Sequence, residues 1–169
     1  GDVVSGGAGT DTFNLSVAGN AGGAYELQAL QLSAIENVLV TNFDLNAADT
    51  TIDTSLMTGV EKVGLGASSA TGDTIFTGMS AIKNASMANG SADLTLTYAG
   101  GTSGTADVQN LTVSAVSAGT FTASGVETIA VTNSNTANSL TNIAGSALTK
   151  ITVTGDQKFT MTGSSSVAT

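Results

Sequence analysis

The chain has 169 residues, a formal net charge of −9 and no cysteine, histidine, proline or tryptophan. Its four basic residues are all lysines, too few and too scattered for nucleic acid or an anionic membrane surface. Without cysteine or histidine there is no disulfide, no thiolate or imidazole metal site, and no thiol nucleophile or imidazole base. No apolar run approaches the length of a membrane span, so membrane insertion is not expected. Glycine, alanine, serine and threonine make up just over half of the sequence, yet 41% of residues are hydrophobic, and Val, Ile and Thr recur throughout. A chain that is small-residue-rich, β-branched and poor in charge reads as folded β-structure rather than disorder.

The first element in chain order is a glycine-rich motif. Gly6-Gly7-Ala8-Gly9-Thr10-Asp11-Thr12-Phe13-Asn14 fits the nonapeptide G-G-x-G-x-D-x-U-x at every fixed position. Nine residues before Asp11, Asp2 falls on the Asp position, and Val4 falls on the apolar one. Glycines permit a tight turn whose carbonyl oxygens face inward, and the Asp carboxylate supplies charge. Together they make the all-oxygen shell that a hard cation such as Ca²⁺ prefers. Asp2, Gly6, Gly7, Gly9 and Asp11 are therefore the leading calcium candidates, with Phe13 facing the core. The same residues also suit a glycine-rich turn that enters the fold without metal. After Asn14 the period fails, although Gly19-Asn20 sits where the next Gly-Asp would stand.

Beyond residue 30 one pattern recurs six times: Ile35-Glu-Asn-Val-Leu-Val40, Val60-Glu-Lys-Val-Gly-Leu65, Ile82-Lys-Asn-Ala-Ser-Met87, Val108-Gln-Asn-Leu-Thr-Val113, Val126-Glu-Thr-Ile-Ala-Val131 and Leu148-Thr-Lys-Ile-Thr-Val153. Gly or Ala directly precedes five of the six, the exception being Asp107. The last three positions alternate with period 2, as in a half-buried strand, and a corner falls between the first and third positions. Weaker apolar clusters lie between the units, at Phe43/Leu45, Ile75/Phe76, Leu94/Leu96/Tyr98, Phe121, Leu140/Ile143 and Phe159/Met161. Two or three short strands per repeat of about 20–25 residues predict an all-β, parallel β-solenoid with a calcium-roll-like turn at its N-terminus. Val38, Val63, Leu111, Ile129 and Ile151 are expected in one interior column. An antiparallel sandwich also fits strands at this spacing, but it does not require the same hexamer in each unit. Residues 1–20 read as the end of a nonapeptide region and 21–169 as the solenoid. Because the chain opens within a repeat and shows no evident cap, a fragment of something larger is expected.

Glu36, Glu61 and Glu127 share one repeat position with Lys83 and Gln109. A solvated ladder is expected there rather than the facing carboxylate pair of a glycosidase or lyase. Asn37, Asn84 and Asn110 share the next position and suggest a partial amide ladder. Among loop acids after strands, Asp44, Asp73 and Asp156 are secondary calcium candidates, each of which also suits a solvated turn.

A nonapeptide of this kind leading into Gly/Ala-Val-Glu-x-Ile/Val-x-Val repeats resembles the large secreted RTX proteins of Gram-negative bacteria. Within them it is most similar to the calcium-dependent surface-layer proteins. The motif covers residues 1–14 and the repeat resemblance roughly 33–163. The resemblance implies type I secretion and folding on extracellular Ca²⁺. It also implies a non-enzymatic role on the bacterial cell surface, where copies assemble laterally into a lattice. Contact with cell-surface lipopolysaccharide would come from other parts of the parent chain. The chain departs from that family in having one complete nonapeptide and no visible secretion signal. The alternative is an RTX adhesin or carbohydrate-binding module, which would normally offer exposed aromatic side chains.

Overall fold

The computed structural model describes residues 3–18, 23–27, 30–45, 47–69, 71–163, 165 and 167. Asp2 and the Gly19-Asn20 pair lie outside the described residues. Seventeen strands follow in order: β1 (Val3–Ser5), β2 (Thr12–Ala18), β3 (Tyr25–Leu27), β4 (Gln31–Ser33), β5 (Asn37–Phe43), β6 (Thr50–Asp53), β7 (Lys62–Ala67), β8 (Thr74–Met79), β9 (Asn84–Ala88), β10 (Leu94–Tyr98), β11 (Val108–Ser114), β12 (Thr120–Ala123), β13 (Thr128–Ser134), β14 (Asn138–Leu140), β15 (Asn142–Ala144), β16 (Lys150–Thr154) and β17 (Phe159–Met161). No helix occurs among the described residues.

Every pairing between these strands is parallel. A seven-stranded sheet runs β16-β13-β11-β9-β7-β5-β2, and a six-stranded sheet runs β15-β12-β10-β8-β6-β3. Two shorter parallel pairs, β1-β4 and β14-β17, stand apart from these sheets. Successive passes along the long sheet stack as the rungs of a β-solenoid, at roughly 4.8 Å per rung. The sandwich alternative is thereby set aside, because consecutive strands of one sheet are separated by a full turn of the coil.

The core lies between the two sheets. From the long sheet, Phe13, Val38, Val63, Ala85, Leu111, Val131 and Val153 form one continuous column. From the short sheet, Leu27, Ile52, Phe76, Leu96 and Ala123 form another. Ile52, Phe76, Leu96 and Ala123 are fully buried. This corrects the expected column in one respect: Ile129 and Ile151 share the interior face but stack on Gln109, not on Leu111. The register steps by two residues between β11 and β13: Leu111 pairs in phase with Ala85 on one side but with Val131 on the other, so β11 starts its rung two residues earlier in the hexamer. Its first position, Val108, is accordingly 44% exposed, whereas Ile35, Val60, Val126 and Leu148 are buried. Two other expectations also change. Gln109 leaves the solvated ladder for the interior, and Phe43 and Leu45 are exposed while Ile52 fills the core in their place.

The residue before the hexamer has a backbone reason. Ala34, Gly59 and Gly125 turn the corner in the left-handed region, at φ 50°, 86° and 78°. For alanine that conformation costs roughly 1–2 kcal/mol, and only a small side chain clears the rung beneath. The opposite corner uses Asn89, Ala115 and Asn135 at φ 53°, 56° and 64°.

Candidate functional site

The Gly6–Asp11 turn joins β1 to β2 at one end of the rod. Its form is set by close packing: a Cβ on Gly6 would lie 2.0 Å from the Ala34 carbonyl oxygen and 2.7 Å from the Asp11 Cβ. Gly7 and Gly9 adopt φ 91° and 119°, where side chains are strained. The Gly6 amide donates to the Ser33 carbonyl (3.0 Å), which pins the turn to β4. The Asp11 amide donates to Glu36 Oε2 (2.8 Å), and its carbonyl accepts from the Asn37 amide (3.0 Å) and Asn37 Nδ2 (3.2 Å). With its backbone anchored in this way, Asp11 turns a carboxylate inward whose Oδ2 is buried and, among the described residues, has no hydrogen-bond partner.

The same corner recurs further along the rod. The Asp107 amide donates to Glu127 Oε2 (2.8 Å), as Asp11 does to Glu36. There, however, the Asp107 carboxylate accepts from the Gly104 amide (3.0 Å). Asp11 Oδ2 has no such donor, and a buried carboxylate oxygen left without one costs several times a typical hydrogen bond. The donor types at this turn, a carboxylate and glycine-turn carbonyls, are all oxygens and fit a hard cation such as Ca²⁺. Among the described residues no three acidic side chains converge closely enough to hold a metal ion. A cation at Asp11 would therefore draw the rest of its shell from main-chain oxygens. The supporting roles of Glu36 and Glu127 were concealed in sequence, where both read as solvated ladder positions. Of the expected amide ladder, Asn110 Nδ2 donates to Asn84 Oδ1 (3.3 Å), while Asn37 is turned to Asp11.

Asp73 is placed differently from Asp11. It occupies the corner before the short sheet, in a file with Asp49 and Asp93, and each carboxylate accepts from the neighbouring rung. The Asp73 amide donates to Asp49 Oδ1 (3.0 Å), Thr95 Oγ1 donates to Asp73 Oδ2 (3.3 Å) and the Thr120 amide donates to Asp93 Oδ1 (2.7 Å). Burial first, then the charges of Asp93 and Asp49, push the Asp73 carboxyl above the ordinary aspartate range, with the Thr95 hydrogen bond partly opposing them. The folded chain thus holds its proton to higher pH than the unfolded chain, and stability falls as pH rises through that window. Replacing Asp73 by Asn removes the penalty while keeping an acceptor for Thr95. The variant is expected to melt at higher temperature than the parent at neutral pH, and to lose that advantage below about pH 3.8, the ordinary aspartate value. Melting curves from acid to neutral pH check this, and an equal offset at every pH would contradict it.

Asp156 lies in the exposed turn after β16, where Oδ1 accepts from its neighbour Gln157 Nε2 (3.2 Å). Asp11, Asp73 and Asp156 are thus on three different parts of the coil and form no common site. The sequence does carry a signal for the Asp49–Asp73–Asp93 file, since each acid directly precedes a strand of the short sheet. Comparison with protein-family models, with curated protein sequences and with solved structures returns no match.

Proposed function

We propose that this chain is a structural module of a bacterial surface layer, a rigid β-solenoid tile held in an extracellular lattice by Ca²⁺. The observation that carries the reading is Asp11 Oδ2, buried without a partner beside a turn of the nonapeptide pattern. The net charge of −9 supports it too, because free copies repel each other until a divalent cation intervenes. Asp11 and the main-chain oxygens of the Gly6–Asp11 turn would hold one ion, and surface acids of neighbouring copies would share others. The ion supplies charge neutralisation and directional oxygen contacts, and no reaction is assigned to the chain. An adhesin reading has little to draw on, since Phe43 is the one strongly exposed aromatic side chain among the described residues.

Two measurements test this. Calorimetric titration of Ca²⁺ into the chain is expected to show a binding event that Asp11→Ala abolishes. Electron microscopy and light scattering are expected to show ordered sheets at millimolar-order Ca²⁺, dispersed by chelator and not reproduced by NaCl alone. Monovalent salt screens repulsion but cannot build coordinated contacts. Sheets that form equally well in chelator would refute the calcium lattice, and an unchanged titration in Asp11→Ala would refute the site.

A further inference from the structure

Corner lengths differ from rung to rung, and the difference leaves a recess on the flank of the coil. Residues 54–59 lie between β6 and the hexamer at Val60, and residues 99–107 lie between β10 and β11. On the rung between them, only Ser80 and Ala81 separate β8 from the hexamer at Ile82. The short corner is thus flanked by longer ones. Gly101 packs on one side of it so closely that a Cβ would lie 2.8 Å from the Ala81 Cα. On the other side the chain parts from it. Thr54 is tied to Thr77 on the next rung through its amide (2.9 Å) and its hydroxyl (2.8 Å), but the Thr58 amide donates to the Leu32 carbonyl on the rung before (2.8 Å).

A cavity of about 40 Å³ remains between these two corners, with Thr54, Met57, Val60, Met79, Ser80 and Lys83 in its wall. One water needs about 10–15 Å³ in the same measure, so the space holds a few non-hydrogen atoms. Lys83 is half-buried there, and its backbone is fixed by the Gln109 Nε2 that donates to its carbonyl (2.8 Å). Among the described residues no acid lines the cavity, and the Lys83 ammonium makes no ion pair. Glu61, beside Lys83 on the preceding rung, is turned out to solvent. Thr54 Oγ1 is committed to the Thr77 carbonyl, whereas the Ser80 hydroxyl has no partner among the described residues. The recess therefore offers two unused donors, one of them charged, against a wall of valine and thioether. A cation drawn partly out of water in this way lacks its counter-charge.

We propose that this recess binds a short aliphatic carboxylate, of about two to four carbons. The Lys83 ammonium and the Ser80 hydroxyl donate to the carboxylate, the first as a charge-assisted bond. The alkyl stub lies against Met57 and Met79, whose unbranched thioethers adjust to small differences in shape. An apolar wall with a few placed polar groups is the usual make-up of a small-molecule site. Size sets the specificity, because carbons beyond the first few stand outside the recess and gain no contact. The site uses no residue of the Gly6–Asp11 turn and no metal, and so it stands apart from the calcium lattice proposed above.

The test is a titration with sodium propionate, run in chelator and at constant ionic strength so that the calcium reading has no bearing on it. The methionine methyl resonances of the isotope-labelled chain report it. Those of Met57 and Met79 are expected to shift saturably, while those of Met87 and Met161, which lie outside the recess, stay in place. Lys83→Met is expected to weaken binding at least about tenfold, as loss of a charge-assisted bond requires. Ser80→Ala, at an exposed position, is expected to weaken it roughly fivefold. Lys62→Met, which removes a lysine outside the recess, is expected to leave it unchanged. Circular dichroism is expected to report the same fold in all three variants. Hexanoate is expected to bind no more tightly than propionate. An absence of saturable shifts, a recess holding water only, overturns the proposal. So does a Lys83→Met variant that binds as the parent does, and so does an affinity that climbs steadily with chain length.

Discussion

Replacing Ile129 by Asp is expected to destabilise the fold by more than about 3 kcal/mol, enough to unfold the middle rungs at physiological temperature. Ile129 is fully buried on β13, with Gln109 beneath it and Ile151 above. Gln109 has nothing to offer a new carboxylate. Its Nε2 already donates to the carbonyls of Lys83 (2.8 Å) and Asn110 (2.7 Å), and its Oε1 accepts from the Tyr98 hydroxyl. The introduced charge would therefore stand unpaired between rungs. Ile129→Val is the control, removing one methylene for a cost of about 1 kcal/mol. Each rung contacts only its neighbours, so damage at β13 uncouples β16 and β17 from the rest of the rod. Denaturant melts of the two variants measure the difference. A loss below about 1 kcal/mol for the aspartate would mean that Ile129 is not held in a dry interior.

Period-2 alternation and the repeated hexamer were enough to read the coil. Val38/Val40, Val63/Leu65 and Leu111/Val113 all point inward as that pattern requires, and all are buried. The Gly or Ala before the hexamer marked a corner, and Ala34, Gly59 and Gly125 show why, since the chain passes there through the left-handed region. Phase between rungs was harder to read. The hexamers starting at Val108 and Val126 look equivalent, yet Val108 pairs with Thr128, because the register steps by two residues between β11 and β13 while β9 and β11 stay in phase. Polar residues in the core were also concealed. Asn42 continues the inward parity of Val38 and Val40, and Asn133 that of Ile129 and Val131, but composition alone assigns asparagine and Asp44 to solvent. All three are at most 2% exposed. Parity was the signal that could have found the two asparagines. At the candidate site the glycine turn and Asp11 were legible, because local backbone geometry dictates them. Glu36 was not, because its role depends on a contact 25 residues away.

Asn138→Leu is expected to cost about 2 kcal/mol or more, even though it swaps a polar side chain for an apolar one of the same branched shape in the interior. Asn138 is 2% exposed and closes the corner between β13 and β14 with four hydrogen bonds. Its Oδ1 accepts from the Val116 amide (2.7 Å) on the rung below. Its Nδ2 donates to Asn133 Oδ1 (2.6 Å), to the Ser134 carbonyl (3.0 Å) and to the Thr136 carbonyl (2.7 Å). Leucine would strand the Val116 amide and Asn133 Oδ1, each worth about 1–3 kcal/mol when buried unpaired, while the Ser134 carbonyl keeps the Thr136 amide (2.9 Å). The apolar gain from one leucine, about 1.5–3 kcal/mol, does not offset that sum. Asn42 provides an independent comparison in the earlier rungs. Its Nδ2 donates to Thr50 Oγ1 (3.1 Å) and Thr74 Oγ1 (3.0 Å), and its Oδ1 accepts from the Asp44 amide (3.0 Å). Thr50 and Thr74 belong to the short sheet, so the amide ties the long sheet's corner to the opposite face. Asn42→Leu should therefore be costly as well, while the exposed Asn110→Leu should change stability by less than about 1 kcal/mol. Thermal melts of the three variants rank them. Should Asn138→Leu prove as mild as Asn110→Leu, the corner is held by apolar packing and the buried amides are incidental to it.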